Sequence, residues 1–141
     1  NDITVSRKIQ EELKKEDIHV SIVDSAHMSS REIKDIIASC EVIIASRYHS
    51  CVAALSSGVP TLVIGWHYKY EELLRWYGQD KWGLSTDECD SEKLISIFDS
   101  FWEKREESKK IIAKKYPEVR KAVLAAGKIL FSKQEANNAN R

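Results

Sequence analysis

Residues 41–67 read EVIIASRYHSCVAALSSGVPTLVIGWH, and their order decides the fold. Residues 41–45 (EVIIA) form a near-continuous apolar run, the pattern of a strand covered on both faces. Residues 48–57 then read as a helix that stops at Gly58, a residue able to take the left-handed closing position; Pro60 confirms the stop. Residues 61–64 (TLVI) make the next buried strand. Strand, helix and strand joined by short connections predict a parallel sheet.

Working outward, the alternation continues. Residues 3–15 read as a helix with Ile3, Ile9 and Leu13 on one face, and residues 19–23 (HVSIV) as a short β-rich run. Ser29 and Glu32 have the spacing of a capping box, ahead of Ile33, Ile36 and Ile37 at helical intervals. Residues 68–77 form a helix ending at Gly78, and residues 81–84 a last short strand. The final third changes character: residues 91–115 and 118–132 read as two helices separated at Pro117. Leu94, Ile95, Phe98, Phe101 and Trp102 make an apolar stripe, read as core packing or as a surface for a missing partner. The expected fold is α/β, a Rossmann-like parallel sheet flanked by helices, as one domain over residues 1–132 with C-terminal helices. The polar, Asn-rich tail at 133–141 is expected to be disordered.

Composition narrows the function. The 141 residues carry 22 basic and 22 acidic side chains, and this zero balance argues against a nucleic-acid binder held by phosphates. Hydrophobic residues at 43% and charged residues at 31% describe a globular domain. No apolar run approaches the ~18 residues of a membrane span. Cys40, Cys51 and Cys89 lie far apart with no CxxC pair, which fits neither a disulfide framework nor a zinc knuckle and favours a reducing, cytoplasmic setting. The chain opens at Asn1 inside a helical pattern, so a piece of a longer protein is expected, with function shared by a missing half.

Ligands of open parallel sheets bind beyond the carboxyl ends of the strands. That rule selects two loops, Ser46 to Ser50 after the first strand and Gly65 to Tyr70 after the second. If the strands are neighbours, Arg47, His49, His67 and Lys69 converge at one edge. Residues 47–50 also open a helix, where unpaired N–H groups and the dipole favour an anion. Arg47 adds a planar fork for carboxylate or phosphate, Ser46 and Ser50 can cap or donate, and His49 can move a proton near neutral pH. The expected ligand is a small, multiply charged anion. Taken singly, a lone Arg is more often a surface salt-bridge partner and a lone His a structural one; their placement together after a buried strand shifts the balance.

Other chemistries lack signatures. There is no GxGxxG, GxxxxGK[ST] or GxSxG, and the histidines lack HExxH spacing, so no metal is expected. The pairs Glu71–Glu72 and Glu106–Glu107 read as solvated charges, because adjacent residues on a helix face apart.

The stretch CEVIIASRYHSCVAALSSGVPTLVIGWHYKYEELLRWYGQDKWG, Cys40 to Gly83, resembles the C-terminal half of the polysaccharide pyruvyl transferase family. The matching features are S-R-x-H-S after a buried strand, A-L-x-x-G-V-P, and W-x-x-K-Y-x-E-L after the next strand. The resemblance implies one half of a GT-B-like two-domain enzyme of cell-envelope polysaccharide biosynthesis. It implies phosphoenolpyruvate as donor substrate, no cofactor, and a sugar or glycan acceptor receiving a pyruvyl ketal. Arg47 and His49 match the Arg and His that the family uses for donor binding and catalysis, and Lys69 matches the Lys of the second loop; Ser46, Ser50, His67 and Tyr70 complete the substrate-binding set. The acceptor site would draw largely on the missing N-terminal domain, so this piece alone is expected to be inactive. Two alternatives stand beside it. One is a GT-B glycosyltransferase donor domain using a nucleotide sugar, against which residues 52–57 (VAALSS) offer no acid to hold a ribose. The other is a non-catalytic anion-binding domain.

Overall fold

A computed structural model describes residues 2–65 and 67–139, with side chains over 3–65 and 67–129. The backbone gathers into two compact units, Asn1–Asp35 and Ile36–Arg141.

In the first unit, helix α1 (Asp2–Lys15) ends where Asp17 takes φ 59° and the Ile18 N–H donates to the Leu13 carbonyl at 3.0 Å. Asp is among the few residues that tolerate this left-handed turn. The run at 19–23 is not a strand. Among the described residues no strand pairs with it, and the Val20 carbonyl instead accepts from the Gln10 side-chain amide at 2.8 Å. β propensity alone cannot hold a strand without such a neighbour. The capping box forms as its spacing predicts: the Ser29 N–H and hydroxyl donate to the Glu32 carboxylate at 2.8 and 2.7 Å. The hydroxyl first, then the N–H, hold the Glu32 carboxyl below its ordinary range. Helix α2 (Ser30–Ala38) starts from this cap.

The second unit is built on three parallel strands, β1 (Ile43–Ala45), β2 (Thr61–Ile64) and β3 (Gly83–Leu84), in the order β1-β2-β3. Ile43 pairs with Thr61 and Val63 with Gly83. The α/β reading and the parallel sheet therefore hold, with a small sheet. The first strand is shorter than its apolar run, and it is an edge strand: Ile44 is 49% exposed where cover on both faces is expected.

Central β2 divides the core. Val63 packs with Ala45, Cys51 and Leu55, with Leu73, Leu74 and Tyr77, and with Ile112. Ala45 is the last residue of β1; the others come from helices α3 (Tyr48–Ser56), α4 (Tyr68–Trp76) and α6 (Arg105–Ala139), with Tyr77 the residue that ends α4. Leu62, one residue earlier and so on the other face, packs with Trp82 and Phe101, the latter from α5 (Ser91–Glu103). Helices thus cover both faces of β2.

Helices α3 and α4 end by the same device. Gly58 and Gly78 have φ +81° and +65°. In each case the next N–H reaches back five residues, Val59 to Ala54 at 3.0 Å and Gln79 to Leu74 at 2.8 Å. At Gly78 an added Cβ would also stand 2.8 Å from Ile111 Cγ2. Gly78→Ala is therefore expected to lower unfolding stability by about 1–3 kcal/mol, read from the urea midpoint.

The helix break in the last third falls at Lys104, not Pro117. Lys104 closes α5 with φ −98° and ψ 9°, and α6 runs through Pro117. Arg105 secures the corner: its guanidinium lies 4.3 Å from the Trp102 ring, donates to the Trp102 carbonyl at 2.8 Å and meets Glu41 at 3.3 Å. A proline costs a helix one hydrogen bond, and the neighbouring turns of α6 bridge that loss. The backbone of the tail is helical to Ala139, and residues 140 and 141 lie outside the described residues. Among the described residues no helix is long and apolar enough to cross a membrane.

Candidate functional site

The sheet brings the two selected loops side by side, because β1 and β2 are neighbours and both loops leave their carboxyl ends. Arg47 sits at the N-cap of α3 in extended geometry (φ −101°, ψ 127°), and its side chain makes no capping bond. The first turn of α3 therefore presents Tyr48, His49 and Ser50 N–H groups without helical acceptors. Arg47 and His49 are exposed and Ser50 is half-buried.

The second loop begins α4. His67 is its N-cap, and its Nδ1 accepts from the Lys69 N–H at 3.4 Å. Lys69 Nζ lies 5.0 Å from the Tyr48 ring centre and 5.5 Å from that of Tyr70. The two tyrosine rings meet edge to face at 5.7 Å, and Tyr48 meets His49 in the same way at 6.2 Å. The Tyr70 hydroxyl donates to the Ser46 carbonyl at 3.0 Å, tying the loops together. This approach requires Gly65: an added Cβ would lie 2.8 Å from Tyr70 Cδ2. The structure thus gathers Ser46, His49, Lys69 and Tyr70 around Tyr48. Sequence reasoning passed over Tyr48, although its place between Arg47 and His49 was the available signal. Lys69 stays exposed, so each ring contributes about 0.5–1 kcal/mol to its placement.

A cavity of about 350 Å³ opens beyond the carboxyl ends of β2 and β3. His67 and Tyr70 line it together with Glu71, Arg75, Asp80 and Ser85, whereas Arg47, His49 and Lys69 do not. Sequence reasoning missed Arg75, Asp80 and Ser85; Glu71, read there as a solvated charge, is exposed and also lines the cavity. The signal was a spacing of four: His67, Glu71 and Arg75 fall on one stripe of α4. Asp80 enters from the turn after that helix and lies 3.9 Å from Arg75. Gly83 opens the third strand so closely to α4 that an added Cβ would be 3.1 Å from Leu74 Cδ1.

Of the three thiols only Cys51 is buried, one turn into α3. Burial pushes it up to about 11. At pH 8 a thiol reagent is expected to label exposed Cys40 in the native protein and to reach Cys51 only on unfolding, as counted by mass spectrometry. Among the described residues no three His, Cys, Asp or Glu side chains stand together as a metal site.

Residues 2–68 match the family model described as polysaccharide pyruvyl transferase. The match supports the family that the sequence resembles. It takes in Ser46, Arg47, His49, Ser50 and His67 and stops one residue before Lys69. Comparison with curated proteins returned no match, and neither did comparison with solved structures.

Proposed function

We propose that this chain is the donor-binding part of a polysaccharide pyruvyl transferase, a cytoplasmic enzyme of GT-B-like, two-domain build that uses phosphoenolpyruvate. The observation that carries the reading is the edge formed by the first turn of α3, Arg47, His49 and Lys69, with the tyrosines fixing Lys69 beside it. Phosphoenolpyruvate is small and carries both a carboxylate and a phosphate. Helix N–H groups and three cationic or proton-bearing side chains complement it.

The chemistry follows from the substrate. Protonation of the methylene carbon makes the adjacent carbon electrophilic, and one sugar hydroxyl adds to it. The carbon–oxygen bond to phosphate breaks, inorganic phosphate leaves, and a second hydroxyl closes the ketal. Two hydroxyl protons are released in all; one is balanced by the new methyl group and one leaves with phosphate. His49 serves as the acid or steadies the departing phosphate, and Arg47 and Lys69 hold the anionic groups as charge shifts.

Calorimetric titration with phosphoenolpyruvate, UDP and inorganic phosphate tests this reading. Phosphoenolpyruvate is expected to bind, and Arg47→Ala to abolish binding. Preferential binding of UDP would replace it with a nucleotide-sugar enzyme.

A further inference from the structure

The cavity beyond β2 and β3 differs in its charges from the cationic edge of the two loops. Its wall carries two carboxylates, Glu71 and Asp80, against one guanidinium, Arg75, and the His67 imidazole. A dianion entering it would face both carboxylates, and Arg75 already lies 3.9 Å from Asp80. A neutral ligand rich in hydroxyls meets no such opposition. Carboxylates accept from its O–H groups, while Arg75 and the Ser85 hydroxyl donate to its oxygens. Apolar wall comes from Tyr70 and Leu74. The volume of about 350 Å³ is near the lower end of the ~300–1,000 Å³ range of ligand pockets. That suits one sugar ring.

Tyr70 belongs to both places. Its ring lies 5.5 Å from Lys69 Nζ and its hydroxyl holds the Ser46 carbonyl, yet it also lines the cavity. His67 is likewise shared, as the N-cap of α4 and as a cavity residue. We infer that this cavity is the subsite for the acceptor sugar ring, with Glu71 and Asp80 orienting its hydroxyls toward a donor held across Tyr70. The inference rests on the pyruvyl transferase reading and departs from the expectation that the acceptor is held largely by the other domain. Glu71 and Asp80 are positioning residues here; the pair also selects hydroxyl-bearing ligands over charged ones.

The test separates the two readings. Saturation-transfer NMR on the intact enzyme follows methyl α-galactopyranoside, methyl α-glucopyranoside and methyl α-mannopyranoside. Calorimetry on the same samples follows phosphoenolpyruvate. At least one hexoside is expected to bind the native enzyme. Glu71→Gln and Asp80→Asn are each expected to weaken that binding about tenfold or more, the scale of a lost hydrogen bond to a charged group. Phosphoenolpyruvate affinity is expected to stay within about twofold, since neither carboxylate lies at the donor edge. In turnover, the sugar KM should rise more than kcat falls. Hexoside binding unchanged in both variants, or absent in the native enzyme, overturns the inference. Loss of phosphoenolpyruvate binding in both variants with the hexoside retained also overturns it and makes the cavity the donor site. Failure of the donor reading shows separately, as absence of phosphoenolpyruvate binding in the native enzyme.

Discussion

Arg47→Ala is expected to lower kcat/KM for phosphoenolpyruvate by about 10²–10³-fold, the scale of removing one preorganised group that steadies developing charge. The physical reason is its place. Arg47 stands at the N-cap of α3 in extended geometry, so its guanidinium and the helix N–H groups can address one anion together. The side chain does not cap its own helix, so the substitution costs α3 little through lost capping. The urea midpoint, measured beside the kinetic constant, separates a folding effect from the loss of binding. Arg47→Lys keeps the charge but loses the planar fork, and an intermediate rate is expected. Equal rates for Arg47→Ala and the native enzyme would remove Arg47 from the donor site.

Phe101→Ala is expected to destabilise the fold by about 3–5 kcal/mol, the range for truncating a buried aromatic ring. Phe101 is 0% exposed, and its ring meets Trp82 edge to face at 5.3 Å. Trp82 in turn donates its indole N–H to the buried Ser108 hydroxyl at 3.0 Å. One deletion thus opens a cavity beside Leu62 and loosens an aromatic pair and the hydrogen bond behind it. Typical domains have only about 5–15 kcal/mol in total, so the loss is large. Trp102, the next residue, is 41% exposed, and Trp102→Ala should cost clearly less. Urea unfolding of both variants measures the contrast; similar midpoints would mean that the Phe101 side of the sheet is not a true core.

That contrast also shows where the sequence was legible. Both residues belong to one apolar stripe, and helical periodicity cannot tell which of two adjacent aromatics the sheet covers. The stretch from Glu41 to Gly83 was readable because several signals agreed there. Apolar runs flank a helix, and Gly58 and Gly78 mark the two left-handed closures seen in this stretch. The run at 19–23 misled because its β-branched residues measure fitness for a sheet, and among the described residues no strand pairs with it. Pro117 misled because helix α6 carries the proline, while the corner forms where Arg105 can hold Trp102 and Glu41.

The candidate site divides in the same way. The cationic loops were legible because strand ends and helix starts are local features. The cavity was not, because Glu71, Arg75, Asp80 and Ser85 meet only once α4 packs against β2 and β3. Tyr48 and Tyr70 likewise read as ordinary helix aromatics until the sheet sets them 5.7 Å apart with Lys69 above them.

The most direct measurement of the central claim is turnover of phosphoenolpyruvate labelled with ¹³C at the methylene carbon, incubated with the intact enzyme and the methyl hexosides. The account expects inorganic phosphate to be released only when a sugar is present, while the alkene signal gives way to a ketal methyl signal on the sugar. Label that remains in phosphoenolpyruvate, or appears only as free pyruvate, would contradict it.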